Sequence, residues 1–174
     1  FESGTRIYYF TDNLLQYIKL YARQGIIAME AVNLYPVVEE KVHIFCEIAG
    51  KQSTTLLNKV ASDVQVHSNG RLLGVIIHNI IDNAVKITLQ GAITITTQAE
   101  QEELHIIVHD TGPGMPQELV AWCNANNGHS NLPESMGMGL LIVKELLVLV
   151  NGRMQVESMP GKGTAVHIIL QNSL

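Results

Sequence analysis

Apolar side chains recur near helical spacing through residues 12–24, where Asp12 stands as an N-cap before Leu14, Leu15, Ile18 and Tyr21 or Ala22, and Gln24-Gly25 ends the run. Met29 to Tyr35 alternates like a strand. Pro36 suits the first turn of a helix reaching about Gly50, with Val37, Val38, Ile44, Phe45 and Ile48 available for burial. Residues 54–66 hold strand-like stretches broken around Ala61-Ser62-Asp63. Ser68-Asn69 then caps a strong helix from Arg71 to about Leu89, stopped by Gly91. Ala92–Gln98 and Leu104–His109 read as a hairpin joined by the acidic turn Glu100 to Glu103. Residues 110–136 are rich in Gly, Pro, Asn and Ser with little periodicity, and a loop of that length in a compact domain points to function. Leu140–Val150 is apolar almost all round, which predicts a deeply buried helix closed by Asn151-Gly152. Two last strands, Arg153–Ser158 and Thr164–Leu170, flank Pro160-Gly161-Lys162-Gly163. The order predicts an α+β fold, one layer of helices over one mixed sheet.

Composition agrees with a folded chain. Its 174 residues are 47% hydrophobic and 16% charged, with mean hydropathy +0.17, which is too apolar for disorder and sized for one domain. Charge changes the picture more. Residues 1–87 balance 8 basic against 8 acidic side chains, so the whole net charge of −5 lies in residues 88–174, and no Lys or Arg stands between Lys86 and Lys144. A nucleic-acid footprint needs clustered cations, so nucleic acid is not an expected partner. Any anion bound there must be held without arginine. Cys46 and Cys123 are too few for a disulfide framework and sit in apolar company, which suggests packing roles in a reducing compartment. The longest apolar run, Gly139 to Val150, falls well short of the roughly 20 residues a bilayer crossing needs, and no membrane contact is expected of this segment.

Three constellations carry chemistry. On the helix Arg71–Leu89, Asn79, Asn83 and Lys86 recur at i, i+4 and i+7, placing two amides and an ammonium on one stripe. Asparagine is a poor helix former, and its amide oxygen is a hard ligand suited to Mg²⁺ shared with phosphates. Directly after a strand comes Asp110-Thr111-Gly112-Pro113-Gly114, where a carboxylate can accept from an exocyclic amine and glycines let backbone approach a flat ring. Third, Gly137-Met138-Gly139 opens a helix whose free N–H groups and positive dipole end make an anion site with no basic side chain.

In order and spacing, Asn79-Ile80-Ile81-Asp82-Asn83-Ala84-Val85-Lys86, Asp110-Thr111-Gly112-Pro113-Gly114-Met115, Gly137-Met138-Gly139-Leu140-Leu141-Ile142-Val143-Lys144 and Gly161-Lys162-Gly163-Thr164 resemble the ATP-binding domain of bacterial sensor histidine kinases. They are similar to that family's N box, G1 box, G2 box and terminal Gly-Thr strand, over about residues 69–171. Residues 1–24 resemble the end of its dimerisation and phosphotransfer helix hairpin, and residues 25–174 the catalytic domain. The resemblance implies a two-layer α/β sandwich, ATP and Mg²⁺ as cofactors, and a role for each matching position. Asp110 would bind the adenine amino group with Thr164 assisting through water, and Gly112 and Gly114 would shape the base pocket. Asn83 would coordinate Mg²⁺, Asn79 would assist, Lys86 would contact phosphate, and Gly137 and Gly139 would let the lid close.

Related chaperones and topoisomerases hydrolyse ATP with a glutamate base four residues before the metal-binding Asn. Here that position is Asn79, which cannot take a proton from water, so transfer to an external nucleophile fits better. Residues 116–136 lack the phenylalanines usual after the G1 box, and only His129 offers a basic side chain in that stretch. The family's acceptor is a histidine followed by an acid on a helix. His43, His67, His78, His105 and His129 are not followed by one, His167 lies in a terminal strand, and His109-Asp110 belongs to the base-binding strand. The acceptor is therefore expected upstream of Phe1. The resemblance further implies a response regulator receiver domain as partner, contact with upstream phosphotransfer helices, a homodimeric parent, and a cytoplasmic location with the parent anchored in the inner membrane. A nucleotide-sensing module without transfer, and a serine kinase of the anti-sigma type, remain alternative readings.

Overall fold

A computed structural model describes residues 27–125 and 137–171. The helix expected over residues 12–24 and His129 lie outside the described residues. The described elements run β1 (Glu30–Asn33), α1 (Leu34–Lys51), β2 (Thr55–Asn58), β3 (Gln65–Ser68), α2 (Gly70–Ile87), β4 (Ala92–Glu100), β5 (Glu103–Asp110), α3 (Gln117–Asn124), α4 (Met138–Leu149), β6 (Arg153–Met159) and β7 (Gly163–Gln171).

Five strands form one mixed sheet in the order β2-β4-β5-β7-β6, with β2 parallel to β4 and every other pair antiparallel. Period-two alternation turns Ile93 and Ile95, Leu104, Ile106 and Val108, Val166, Ile168 and Leu170, and Met154 and Val156 into one core with the helices. This is the α+β architecture that the chain pattern predicts. Outside the main sheet, β1 and β3 pair antiparallel as a separate two-stranded ribbon. Alternation identifies these strands but not their partners, because pairing depends on where the chain between them returns.

The helix that carries Asn79 and Asn83 is capped and deeply buried. Asn69 accepts from Leu72 N at 3.0 Å, and its own amide donates to Ala28 O at 2.8 Å. Leu73, Ile76, Ile77, Ile80 and Ile81 are buried to 2% exposure or less, each contributing roughly 1.5–3 kcal/mol over exposure. This helix ends two residues earlier than its apolar pattern suggests. Thr88 is already extended, its carbonyl accepts from Thr54 Oγ1 at 2.8 Å and Gln90 N donates to Gln52 O, so the approach to β2 pulls the chain out of the helix.

Other departures have equally local causes. Residues 117–124, expected within a long loop, form α3, which starts after Pro116 and buries Leu119, Trp122 and Cys123. On α1 the buried face is Leu34, Val38, Val42, Phe45 and Ala49, while Ile44 and Ile48 are about half exposed. Helix α4 is not enclosed all round, since Val148 is 70% exposed. Cys123 is buried and its thiol is pushed up to about 11 by desolvation, but Cys46 is exposed and donates to His43 O. No described helix is long and apolar enough to cross a membrane.

Candidate functional site

The alternation of β5 ends on a carboxylate. Asp110 follows Ile106 and Val108 on the inward face, is only 3% exposed, and pairs across the sheet with Thr164 of β7. Burial raises its pKa, while backbone N–H groups of Gly112 and Thr164 and the nearby His109 pull the other way. Gly112 N donates to Asp110 Oδ1 at 2.8 Å, which fixes the carboxyl plane. A Cβ on Gly112 would fall 2.9 Å from that oxygen, and one on Gly114, at φ +87°, would fall 2.6 Å from Met159 O. The glycines let the loop after β5 fold over its own aspartate and lie against the β6–β7 turn, where Gly161 N donates to Pro113 O at 2.8 Å.

Asp110, Thr164 and Asn83 line one cleft with Ile80, Ala84, Ile87, Val108, Met115, Leu140 and Val166. Motifs far apart in the chain thus meet around one space, with an apolar floor and walls and a carboxylate at its end. Its volume is about 30 Å³, room for a water or two, so a purine enters only when side chains such as Met115 and Leu140 move.

The mouth of the cleft is polar. Asn79 Nδ2 donates to Val75 O at 2.8 Å, which directs Oδ1 outward, and a Cβ on Gly139 would stand 3.1 Å from that oxygen and 3.6 Å from Asn83 Oδ1. The first turn of α4 therefore lies directly over both amides. Its N-cap, Gly137, has no side-chain cap bond and an ordinary extended conformation with nothing near its Cβ position, so sterics do not demand glycine there.

The two lysines are otherwise engaged. Lys86 does not line the cleft; it is paired with Asp82 on its own helix and its side chain is 67% exposed, a surface pair worth little. Lys144 turns away from the α4 terminus, donating to Trp122 O at 2.7 Å and Ala125 O at 2.8 Å, with its ammonium 4.4 Å from the Trp122 ring centre. Desolvation lowers its pKa. No group of three or more His, Cys, Asp or Glu that could hold a metal exists among the described residues. The donor set at the mouth is two neutral amide oxygens, which suits a hard cation shared with phosphate oxygens and not a metal held by protein alone.

Sequence reasoning missed Ser158. Its hydroxyl accepts from Met115 N at 2.8 Å, donates to Gly163 O at 3.1 Å, and lies 3.0 Å from Thr164 Oγ1. The terminal hairpin pairs Ser158 with Thr164, so the register of that hairpin was the available signal.

Gly139→Ala separates site from fold. Alanine favours a helix by about 1 kcal/mol over glycine, yet its methyl crowds the Asn79 oxygen at 3.1 Å and comes into contact with the Asn83 amide. Thermal melting should hold or rise, while titration calorimetry should show ATP affinity falling about tenfold, the 1.4 kcal/mol of one displaced charge-assisted contact.

The chain is similar to known proteins in sequence and in fold. Residues 68–174 match the family described as "Histidine kinase-, DNA gyrase B-, and HSP90-like ATPase". The sensor protein GacS of Pseudomonas syringae pv. syringae is 28% identical over 98% of this chain, which spans only 20% of that relative. The fold matches the catalytic domain of the histidine kinase ThkA with TM-score 0.70, at 20% identity, over 83% of this chain and 97% of that one. It also matches ThkA in complex with the response regulator TrrA, with TM-score 0.72 at 18% identity, over 99% of this chain and 49% of that one. With more than half of its length inside the family's match and its named relatives sensor kinases, the chain belongs to the histidine kinase-, DNA gyrase B- and HSP90-like ATPases and carries the ATP-binding catalytic domain of the histidine kinase type.

Proposed function

We propose that this domain binds Mg·ATP and transfers its γ-phosphoryl to a histidine outside the chain, for relay to an aspartate on a response regulator. One observation carries the reading: Asp110, Thr164 and Asn83 face a single cleft whose mouth is roofed by the N-terminus of α4. Asp110 would accept from the adenine amino group, Thr164 would assist through water, and Gly112 and Gly114 would hold the loop close to the ring. Asn83 would hold Mg²⁺ against the phosphates with Asn79 beside it. When bound, that ion neutralises phosphate charge. The free N–H groups after Gly137 and Gly139 would receive phosphate oxygens, and Lys86 would reach them on leaving Asp82.

Neither Asn79 nor Asn83 can act as a base toward water, which supports transfer over hydrolysis. The described histidines support an external acceptor. His105 and His109 sit on β5, the base-pocket strand, His167 on β7 and His67 on β3, and neither described helical histidine, His43 or His78, is followed by an acid. Residues 1–24 we assign to the end of a phosphotransfer helix hairpin and 25–174 to the catalytic domain, in a homodimeric, cytoplasmic arrangement of the parent. The ThkA–TrrA complex supports a receiver domain as partner.

The cation makes the first test. Calorimetry with ATP should show affinity at least about tenfold weaker in chelator than in Mg²⁺, since charge-assisted contacts of about 1.5–3 kcal/mol are lost. Affinity indifferent to chelator would contradict the metal assignment. The transfer itself is tested with the longer parent protein and γ-labelled ATP. Label that is stable in base and lost in acid marks phosphohistidine; a parent that binds ATP and never gains such label overturns transfer.

A further inference from the structure

We propose that Thr88 is a positioning residue of the base pocket: its hydroxyl, through one buried water, donates toward Asp110 Oδ1 and holds that carboxylate as a charged acceptor. The inference rests on the base-pocket reading of Asp110 and goes beyond it in assigning a role to a residue that lies off the cleft and outside every site position named above.

Thr88 is fully buried, and its Oγ1 has no hydrogen-bond partner among the described residues. Buried polar groups in native proteins are nearly always paired, with ordered water where the chain offers nothing. The direction of this hydroxyl is fixed. Thr88 N donates to Ala84 O at 3.0 Å, and its carbonyl accepts from Thr54 Oγ1 at 2.8 Å. Its methyl packs toward Gly91, 2.9 Å from where a Cβ would stand there. A β-branched side chain held by backbone and methyl has one place left for its oxygen. That place faces Gly112, where a Cβ would lie 2.9 Å from Asp110 Oδ1, 3.2 Å from Thr88 Oγ1 and 3.4 Å from Ile87 O. Three oxygens thus converge on the bare face of one glycine.

A water joining them has a single polarity. Ile87 O, among the last carbonyls of α2, and ionised Asp110 can only accept, so they take both water protons. Thr88 is then the donor to the water. Asp110 Oδ1 already accepts from Gly112 N at 2.8 Å, and the water fills its second lone pair. Burial works against the Asp110 charge, the N–H groups of Gly112 and Thr164 and the nearby His109 favour it, and a water oriented by Thr88 adds to the favourable side. His109 is the titratable side chain acting on this carboxyl; the neighbours from β4, β7 and α2 are Ile93, Thr164 and Ile87, none of them charged. Thr88 and Gly112 do not line the cleft, so this water stands apart from the space a base enters.

Carboxyl-carbon NMR of the nucleotide-free protein follows Asp110 directly, and calorimetry follows ATP affinity over the same pH range, on wild type, Thr88→Val and Thr88→Ser. Thr88→Val keeps the shape and removes the donor. The Asp110 midpoint should rise by about one pH unit, the scale of one hydrogen bond to a charge, and ATP affinity should begin to fall at a correspondingly higher pH. Thr88→Ser, which keeps the hydroxyl, should restore both. His109 and the ionisation of ATP are common to all three proteins, so the differences report Thr88. Thr88→Ala shifts the midpoint in the same direction and serves if Thr88→Val does not fold. A Thr88→Val protein that titrates like wild type overturns the proposal. So does one that binds ATP more weakly by the same factor at every pH with the midpoint unmoved, since only structure was lost; the pocket reading stands in both cases. If instead Asp110→Asn binds ATP like wild type, the pocket reading falls, and the NMR midpoint still decides whether Thr88 acts on Asp110.

Discussion

Replacing Asp110 by Asn should abolish high-affinity ATP binding without unfolding the protein. The swap is close to isosteric, and the amide oxygen still accepts from Gly112 N, now at 2.8 Å from Oδ1. What changes is the second atom, which becomes a donor facing the adenine amine. Losing one hydrogen bond to a charged group and leaving two donors opposed costs about 3 kcal/mol, close to 100-fold in affinity.

Stability should move the other way. Burial raises the Asp110 pKa in the folded state, so the native protein binds this proton more readily than the unfolded chain does. The carboxyl therefore favours folding below its ordinary pKa, and that contribution disappears as pH rises through the raised folded value. At pH 7 the buried charge opposes folding, and asparagine removes it. Melting of Asp110→Asn at pH 7 should occur at or above the wild-type temperature, with calorimetry showing the lost nucleotide. In wild type, ATP affinity should fall as pH drops through the raised Asp110 value. Asn-substituted protein that binds ATP like wild type would refute the base-pocket assignment.

Gly163→Ala should be the most damaging single methyl in the described structure. Its Cβ would overlap Asp110 O far inside van der Waals contact, and the backbone there has φ +96°. L-residues pay about 1–2 kcal/mol for that conformation, and parting β5 from β7 to admit the methyl adds about 1–3 kcal/mol. A loss of about 4 kcal/mol lowers the melting temperature of a chain this size by about 10 °C. Nucleotide affinity should fall with it, because the strands part where Asp110 faces Thr164. Gly161→Ala is the matched control. It too has positive φ, at +72°, but nothing lies within 4 Å of its Cβ position, so only the backbone cost of about 1 kcal/mol applies. Equal melting losses in the two variants would show that close packing at Gly163 is not the cause.

Much of the fold was legible because its signals are local. Caps, glycines and periodicity mark α2, the β4–β5 hairpin and the terminal hairpin within a few residues of their observed bounds. Helix α3 escaped notice because eight residues give barely two turns of pattern, and its support comes from elsewhere. Lys144 of α4 caps its C-terminal carbonyls, and Asn124 pairs with both the N–H and the C=O of Val156 on β6. Similarly, Ile44 and Ile48 follow the helical stripe as well as Phe45 does, but only the position of α2 decides which face is covered.

Residue type and spacing fix the chemistry available to this protein: amides two turns deep on an apolar helix, an aspartate closing an alternating strand, glycines opening another helix, and a stretch from Lys86 to Lys144 with no lysine or arginine between them. These depend on residue type and spacing along one element, which short-range sterics and hydrogen bonding control. Tertiary structure alone decided which groups meet. It turned the Asp110 carboxylate into a buried acceptor, set Gly139 over Asn79 and Asn83, withdrew Lys144 to α3, and brought Ser158 to Thr164. Those outcomes follow from strand order and helix packing, where contacts between residues remote in sequence are chosen by burial of the whole core.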